Sequence, residues 1–511
     1  MVNILFNRHF SRYIIFYRDI IFFLFTSFFV LISNSSSAKF EFNPNCQKAM
    51  QAILDLRFRD AQAMIGEEKR INPDNGYIIY LEHYSDAIQL IISEDKRIYE
   101  KMINGYDSQM EEMDKLDDGT PDNEWLQAEM LFHLGLAQIR YGTRINGVSK
   151  MVSSYRRIKE HHRKYPAFWQ NQKLMGIYNI MLDFVPPFMR WAAEMFGFSG
   201  SAELGMYQLK QYDERAAEVS GMAEEAVLVT TLGYKLTRDE SGGLDYLASQ
   251  QKIMADCSLI IYLYGVAALN AYQNNLALTL LPQIYKNGLQ INFYGLDYMT
   301  GRAKLNHLEP DANIYFERFL NTYPGEDYRK DVCNRLSYFY LLRGNIEKYK
   351  EYNEMVSTVG ADLRDNDMEA LLESTTGIVP DPRLLKARLL CDGGYFTEAM
   401  AVIRSIDVSQ LKEEAYKVEY HYRTGRILQL SGKPDEAIPA LTAAFNEGKE
   451  LPYTFATRAA LSLGRIYEGK KNYPAAAEWY RKCIEVYSSD NTADGVRDDA
   501  ERGEKRAKGQ F

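Results

Sequence analysis

The sequence predicts an all-α chain built as a solenoid of helical hairpins, and three observations favour this fold class. Apolar residues recur at spacings of three and four positions instead of alternating, which is the period of an amphipathic helix. The chain has only 15 prolines in 511 residues, which suits long helices. Its composition is 46% hydrophobic and 25% charged. That is enough apolar surface to order most of a chain that is too long for one compact core.

A repeated pattern of small and large residues defines the unit. Tetratricopeptide repeats span about 34 residues, with small residues at positions 8, 20 and 27 and large ones at positions 11 and 24. With Gly464 at position 8, the later positions hold Tyr467, Ala476, Tyr480 and Cys483. The C-terminal region therefore resembles a tetratricopeptide repeat.

Further units precede this one at a nearly constant period. Their position-8 residues are Gly265, Thr300, Ser337, Ala387 and Gly425. From Gly265 to Gly464 the spacings are 35, 37, 50, 38 and 39, with one longer connection around residues 360–380. Because no unit can bury its apolar face alone, neighbouring units must stack. The sequence predicts a right-handed superhelix whose concave groove is lined by the first helix of each unit.

The N-terminal third carries weaker copies of the pattern. Residues 59–65, followed by Pro73, are typical of a second helix of a unit, and residues 128–140 with Gly135 are typical of a first helix. The sequence thus divides into five predicted segments. They are a signal peptide (1–38), N-terminal hairpins (39–165), an aromatic Pro-Pro insertion (166–250), tetratricopeptide repeats (251–488) and a charged tail without an apolar face (489–511).

The first 38 residues have the three parts of a secretory signal. Arg8, Arg12 and Arg18 precede an uncharged apolar run over residues 20–32, and a small-residue stretch ends at Ala38. A transmembrane anchor is the alternative, but the run is shorter than the roughly 20 residues that cross a bilayer. We therefore expect export with cleavage after Ala38, into the periplasm if the source is bacterial. Cys46 lies too far from Ala38 to serve as a lipid-anchor cysteine.

Charge and cysteine usage exclude several classes of protein. The chain has a net charge of −9, and removing residues 1–38 takes away three arginines and one acid, leaving −11. A nucleic-acid partner is not expected, because phosphate binding needs a basic surface. The five cysteines are far apart and odd in number, so neither a disulfide framework nor a paired metal motif is predicted.

The central segment interrupts the period with a distinct motif. A glycine at 176 begins an apolar stretch that reaches Pro186-Pro187, and a second apolar stretch closes on Gly-Phe-Ser-Gly at 197–200. Together with the later stretch 226–236, this resembles the central signature of the tetratricopeptide repeat protein 39 family, also called the inclusion-body clearance family. Ser201 stands where that family has an acid. The resemblance implies a helical repeat scaffold without catalytic residues.

Aromatic residues crowd this segment and have two interpretations. They could form an exposed apolar patch that meets a membrane surface or a partner, or they could fill the junction between two halves of the solenoid. An apolar stripe at helical spacing is usually core, which favours the second interpretation. The residues concerned are Phe184, Phe188, Trp191, Phe196 and Phe198.

No motif for catalysis, a cofactor or a metal is recognisable. His161 and His162 are adjacent and not four apart, so they cannot share one helical face for a metal, and we expect them on a solvated helix surface. The glycine pairs at 242–243 and 393–394 lack the residues that would cradle a phosphate. The sequence predicts a protein that is not an enzyme.

One pattern indicates a binding site. Positions 2, 5, 9 and 12 of each unit face the groove, and position 9 holds Arg388, Arg426 and Arg465 in three successive units, with Tyr422 at position 5. We hypothesise that these residues bind carboxylates of an acidic segment or a chain terminus. The alternative is that each arginine pairs with an acid of the adjacent first helix, such as Glu419 or Glu468.

The sequence therefore predicts an exported scaffold that binds a protein or peptide in its groove, within a cell-envelope assembly. The second hypothesis is a carbohydrate-binding protein of the helical-repeat type that works beside outer-membrane transporters. Its basis is the aromatic content, with 37 tyrosines and four tryptophans available to stack on sugar rings. That class usually carries a lipid-anchor cysteine, which this sequence lacks.

Overall fold

The computed structural model describes residues 39–509, except 118, 184–197, 251–252, 254–256, 363, 490–491 and 493. These residues form 24 α-helices and no β-strand, which confirms the predicted all-α fold class. The helices are α1 Pro44–Leu54, α2 Phe58–Ile71, α3 Tyr77–Ser93, α4 Lys96–Lys115, α5 Pro121–Tyr141, α6 Arg144–Lys164, α7 Asn171–Asp183, α8 Ala202–Ala216, α9 Met222–Leu236, α10 Glu240–Ser249, α11 Ser258–Asn270, α12 Asn274–Lys286, α13 Tyr294–Asn306, α14 Ala312–Thr322, α15 Arg329–Leu341, α16 Ile346–Val356, α17 Asp365–Thr375, α18 Pro382–Asp392, α19 Phe396–Arg404, α20 Glu414–Leu430, α21 Pro434–Gly448, α22 Phe455–Gly469, α23 Tyr473–Glu485 and α24 Asp494–Ala507. The predicted signal peptide lies outside the described residues.

Consecutive helices pack in pairs, and each pair packs against the next. From α1/α2 to α15/α16 the pairing is regular; α17 then stands alone, and the pairs α18/α19, α20/α21 and α22/α23 follow. The result is the predicted solenoid of helical hairpins, closed at its C-terminal end by α24.

Close approach of the two helices in a pair depends on the small residue at position 8. A Cβ atom added to Gly464 would lie 2.5 Å from the ring of Tyr480, which is 16 residues later at position 24. Gly425 meets Leu441 at the same separation, with a Cβ distance of 2.5 Å. The alanines at position 20, among them Ala476, are fully buried between helices. The packing that the repeat pattern predicts is therefore present.

The same contact recurs in the N-terminal half. Gly135 of α5 meets Met151 of α6, again 16 residues later, and the predicted first helix over residues 128–140 lies within α5. In the next pair, a Cβ atom on Gly205 of α8 would lie 2.6 Å from the carbonyl oxygen of Gly176 in α7. Helices α7 and α8 thus form a hairpin of the same kind, and residues 184–200 are inserted between its two helices.

Helix α17 accounts for the long spacing between the units of Ser337 and Ala387. Its Asp367 is buried and accepts hydrogen bonds from the backbone N–H groups of Tyr328 (2.6 Å) and Asp331 (3.1 Å), at the N-terminus of α15. A carboxylate at this end satisfies backbone donors that a helix leaves unpaired. The extra helix is thereby fixed against the first helix of the preceding unit.

The C-terminal segment 489–511, predicted as a charged tail, contains helix α24 and has an apolar face after all. Val496 and Ala500 are buried against α22 and α23, and Gly503 lies against the Tyr480 ring, where a Cβ atom would be 2.5 Å away. Arg506 forms an ion pair of 2.7 Å with Glu468. The face was missed because it is built from small residues. Residues 494–507 form a cap on the last unit and not a solvated tail.

The superhelix brings distant parts of the chain together. Arg140 of α5 forms 3.0 Å ion pairs with Glu94 and with Asp327, and Asp327 precedes α15. Further along, Arg238 after α9 pairs with Asp499 of α24 at 2.7 Å. This second ion pair joins the two ends of the part of the solenoid that runs from α10 to α24.

We predict that Gly464→Ala lowers the stability of the protein. The new methyl group must displace the Tyr480 ring, and overpacking of this kind costs about 1–3 kcal/mol. Gly469→Ala is the matched control, because no atom lies within 4 Å of a Cβ at this position of the same helix. Thermal unfolding followed by circular dichroism should show a lower Tm for Gly464→Ala only. Equal Tm values for the two variants would contradict this account of the packing.

Candidate functional site

A concave cavity of about 800 Å³ lies inside the stretch of solenoid from α10 to α22. Its walls come mainly from the first helices α13, α15, α18, α20 and α22, together with α17 and the loop that precedes α22. The cavity is therefore the groove that stacking of the first helices was predicted to create. We call it the central cavity.

The central cavity carries six arginines, and four of them are neutralised. Arg388 binds both oxygens of Glu373 at 2.9 and 3.1 Å. Burial alone would raise the pKa of Glu373, but Arg388 and hydrogen bonds from Tyr338 and Asn334 hold the pKa at about 2. Glu373 is thus ionised at every physiological pH, and the pair behaves as a fixed part of the wall.

Three more arginines pair in the same way. Their partners are Asp331 for Arg335 (2.5 Å), Glu419 for Arg423 (2.8 Å) and Glu369 for Arg458 (2.5 Å). Partly buried ion pairs of this kind orient both side chains and leave little net charge.

Arg302 and Arg426 differ from the other four. Neither forms an ion pair with any residue that the structure describes. Arg426 donates hydrogen bonds to the hydroxyl of Tyr272 (2.8 Å) and to Gln429 (3.1 Å). Arg302 lies 5.6 Å from the centre of the Tyr298 ring, and its buried Nε atom has no hydrogen-bond acceptor within the described chain. The cavity thus holds two guanidinium groups without an ion-pair partner among the described residues, although its wall also carries the carboxylates of Glu240 and Asp392.

Aromatic rings cover much of the remaining wall. Tyr422 is buried, packs against Phe455 with ring centres 5.9 Å apart, and lies under Arg423. The aromatic lining residues are Tyr272, Tyr338, Tyr349, Tyr416, Tyr422, Tyr453 and Phe455. Together with the arginines they give a surface that can contact a chain of mixed polarity.

The structure brings three of the four predicted binding residues together. Arg388, Tyr422 and Arg426 line the central cavity, whereas Arg465 does not, and it pairs with Asp499 of α24 at 2.7 Å. The acids proposed as alternative partners have other contacts, because Glu419 pairs with Arg423 and Glu468 pairs with Arg506.

Sequence reasoning missed several lining residues. Arg458 stands at position 2 and Tyr338 at position 9 of their units, so the positional rule could have found both. Arg302 and Arg335 stand at positions 10 and 6, outside that rule, and only the stacking of the helices directs them into the cavity.

Of the five aromatic residues proposed as an apolar patch, only Phe198 is described. It is half-buried between α6 and α8, with its ring 5.2 Å from that of Tyr155 and under Arg156. Phe184, Phe188, Trp191 and Phe196 lie outside the described residues, so their two interpretations both remain predictions.

A buried polar cluster in the N-terminal half was not predicted. Lys173 of α7 is 2% exposed and binds two carboxylates, Glu129 of α5 at 2.6 Å and Glu225 of α9 at 3.0 Å. Tyr212 donates a hydrogen bond to Glu225 at 2.8 Å. Burial raises the pKa of Glu129 to about 7, since the attraction of Lys173 is offset in part by Glu225. One lysine thus faces two buried carboxylates, and burial makes Glu129 harder to ionise than an exposed glutamate.

Histidines surround this cluster and the neighbouring helix end. His83 is buried and His133 is half-buried, with stacked rings 5.8 Å apart, and burial lowers the pKa of His83 to about 4. His161, expected on a solvated surface, is instead buried between hydrogen bonds to Asn171 (2.7 Å) and the carbonyl of Pro121 (2.8 Å). Its role is to join α6 to the start of α5 and α7.

The remaining cysteine, metal and membrane features add no chemistry. All five cysteines are buried and free, and burial raises the pKa of Cys46 to about 12. Within the described ranges, no group of three or more His, Cys, Asp and Glu residues is placed to hold a metal. None of the described helices combines the length and the apolarity that a membrane span requires.

Comparison with known proteins supports the repeat assignment. The tetratricopeptide repeat model matches residues 457–490, so the repeat predicted around Gly464 is confirmed. The tetratricopeptide repeat domain of P58(IPK) matches 81% of this chain and 99% of its own at 14% identity, with a TM-score of 0.21. No curated protein matches the chain. Tetratricopeptide repeats are protein-interaction modules and typically carry no catalytic centre. The resemblance to the tetratricopeptide repeat protein 39 family remains a prediction.

We predict that Glu129→Gln removes a pH dependence of stability. A carboxyl whose pKa is higher in the folded state than its ordinary 4.5 stabilises the fold at low pH. That stabilisation is lost as the pH rises from 4.5 through about 7. The free energy of unfolding of the wild type should therefore fall across this window relative to the variant, by at most about 3 kcal/mol.

The measurement is urea unfolding at a series of pH values. Glu124→Gln is the control, because Glu124 is an exposed residue of the same helix, paired with Lys164. Its profile should follow the wild type. Parallel profiles for wild type and Glu129→Gln would show that Glu129 does not hold a proton in the folded state.

Proposed function

We propose that this protein is an exported scaffold that binds an extended, carboxylate-bearing protein segment in the central cavity. The observation that carries the proposal is the unbalanced pair of guanidiniums, Arg302 and Arg426, in a cavity where every other arginine has an acidic partner. An arginine that has no carboxylate partner in the cavity can still form an ion pair, and a carboxylate of the ligand would form it.

The shape and lining of the cavity support a peptide as the occupant. The wall is formed by successive first helices, so an extended segment would contact several units at once and gain affinity from each. The aromatic wall would contact the apolar parts of such a segment, and the neutralised arginines would supply fixed hydrogen-bond donors. The neutralised pairs also explain why an acidic chain, with net charge −9, can receive an acidic ligand here.

Affinity capture with the chain from Lys39 as bait tests the proposal. Arg426→Gln keeps a polar side chain but removes the charge, and we expect the captured partner to be lost by roughly tenfold or more, since hydrogen bonds between charged groups contribute about 1.5–3 kcal/mol. Arg465→Gln is the matched control, because Arg465 has the same repeat position and lies outside the cavity.

Thermal unfolding of both variants separates binding from folding. If Arg426→Gln captures the partner at full strength while its Tm falls, Arg426 serves only to hold neighbouring units together. The groove-binding proposal would then be abandoned.

Export is proposed from the N-terminal sequence alone. The basic, apolar and small-residue parts of residues 1–38 support cleavage after Ala38, and a role in a cell-envelope assembly would follow from an exported location. We expect the intact mass of the protein purified from its source to correspond to a chain that starts at Lys39. A mass that includes residues 1–38 would instead support the anchor interpretation.

Carbohydrate binding is the second candidate, and the aromatic wall is the observation that favours it. Tyrosine rings can stack on sugar rings, although none of the described tryptophans lines the cavity. A glycan array distinguishes the two candidates. A specific glycan that binds equally to the wild type and to Arg426→Gln, with no protein captured, would support the carbohydrate-binding function.

A further inference from the structure

Helix α6 is strongly basic in an otherwise acidic chain. Over its 21 residues it carries seven basic side chains and one acid, Glu160, while the whole chain has a net charge of −9. Within the described chain, Arg144, Lys150 and Arg156 form no ion pair. Arg163 pairs with Glu160 of the same helix and Lys164 with Glu124 of α5, so ion pairs explain only part of the basic charge on α6.

The outward face of α6 is divided along its length. Residues at helical spacing form one solvent-facing stripe, apolar in the first turns and basic in the last. Ile145 is 83% exposed and Val148 is 53% exposed at the apolar end. The stripe consists of Ile145, Val148, Val152, Arg156, Lys159 and Arg163.

The start of α8 also exposes large apolar side chains. Leu204 and Tyr207 are exposed there, with Tyr207 61% exposed, one turn apart in the second helix of the next hairpin. Phe198, which precedes α8, packs on Tyr155 and lies under Arg156, at the middle of α6. Four large apolar side chains thus face solvent at the same end of two neighbouring hairpins.

We propose that the outward face of α6, together with the start of α8, binds the surface of an anionic lipid membrane. Basic side chains would contact the lipid headgroups, and Ile145, Val148 and Tyr207 would enter the boundary between headgroups and acyl chains. A helix that combines exposed large apolar residues with lysine and arginine on one face is suited to this interface. The site is separate from the central cavity, which is formed by other helices.

Charge and apolarity together select lipid over other anionic partners. A nucleic acid would match the basic half of the stripe, but its phosphate surface offers nothing to Ile145 and Val148. An anionic membrane offers both a negative surface for the basic residues and an apolar layer for Ile145 and Val148.

Cosedimentation with vesicles tests the proposal. The chain from Lys39 contains every described helix and lacks the apolar N-terminal run, which could itself enter a bilayer. We expect it to sediment with vesicles of phosphatidylcholine that contain about one quarter phosphatidylserine, and not with pure phosphatidylcholine. Each basic residue near such a surface contributes about 1 kcal/mol, so the variant R156E/K159E/R163E should bind roughly a hundredfold less tightly or worse.

Two further variants make the result specific. K69E/R70E/K471E makes the same change in net charge at exposed positions elsewhere and should bind like the wild type. I145D/V148D keeps the basic residues and should lose severalfold in affinity. Circular dichroism confirms that each variant is folded.

Three outcomes would overturn the proposal. They are equal binding by the stripe variant and the control triple variant, equal binding of the wild type to pure phosphatidylcholine, and preferential binding to duplex DNA that I145D/V148D does not change. The last outcome would assign the basic face to nucleic acid.

Discussion

The structure depends on one short-range contact, the approach of a small residue in the first helix of several hairpins to a large residue 16 positions later in the second. Gly464 against Tyr480 and Gly425 against Leu441 show the contact in the C-terminal units, and Gly135 against Met151 shows it in the N-terminal half. A side chain on the glycine would separate the two helices. Because each hairpin packs on the next, the separation would be passed along the stack, and the groove would change shape with it.

The stacking of the hairpins decides which residues line the groove. First helices present the same few positions to the concave side, so charged residues at those positions in successive units come close together. Most of the arginines in the central cavity are neutralised by an acid from the same or a neighbouring helix, which limits the cost of burying them. Arg302 and Arg426 are exceptions: within the described chain Arg302 lies against the Tyr298 ring and Arg426 donates to Gln429, each on the arginine's own helix, and Arg426 also donates to Tyr272. Whether the cavity can bind a carboxylate therefore depends on which arginines the stacking leaves without an acidic partner.

The repeats could be predicted from sequence because their determinants are local. The distance from Gly464 to Tyr480 is fixed by helix geometry and a short turn, so spacing alone indicates the contact. The interruption at residues 184–200 concealed that Gly176 and Gly205 form the same close pair, because the insertion changes their spacing. Helix α24 was missed because its buried face contains the small residues Ala500 and Gly503. Between charged neighbours, such residues give only a weak hydrophobic pattern.

The candidate site could be predicted only in part, because the acid that pairs with each arginine can lie far from it in the sequence. Position 9 correctly indicated Arg388 and Arg426, but the partner of Arg388 is Glu373 of the additional helix α17, which the repeat pattern does not contain. Arg465 has the same position yet pairs with Asp499 of α24, the helix that packs on the hairpin α22/α23. The Lys173 cluster joins α5, α7 and α9, whose order in space depends on the stack as a whole.

The distribution of charge separates two surfaces of the solenoid. First helices carry the arginines of the central cavity, whereas the exposed basic residues of α6 lie on a second helix of the N-terminal half. The two sets of side chains belong to different helices and share no contact among the described residues. The buried Lys173 cluster lies between them in sequence and ties the first helices of three successive hairpins together. The two proposed binding surfaces, the groove and the outer face, therefore lie on opposite members of the helical pair.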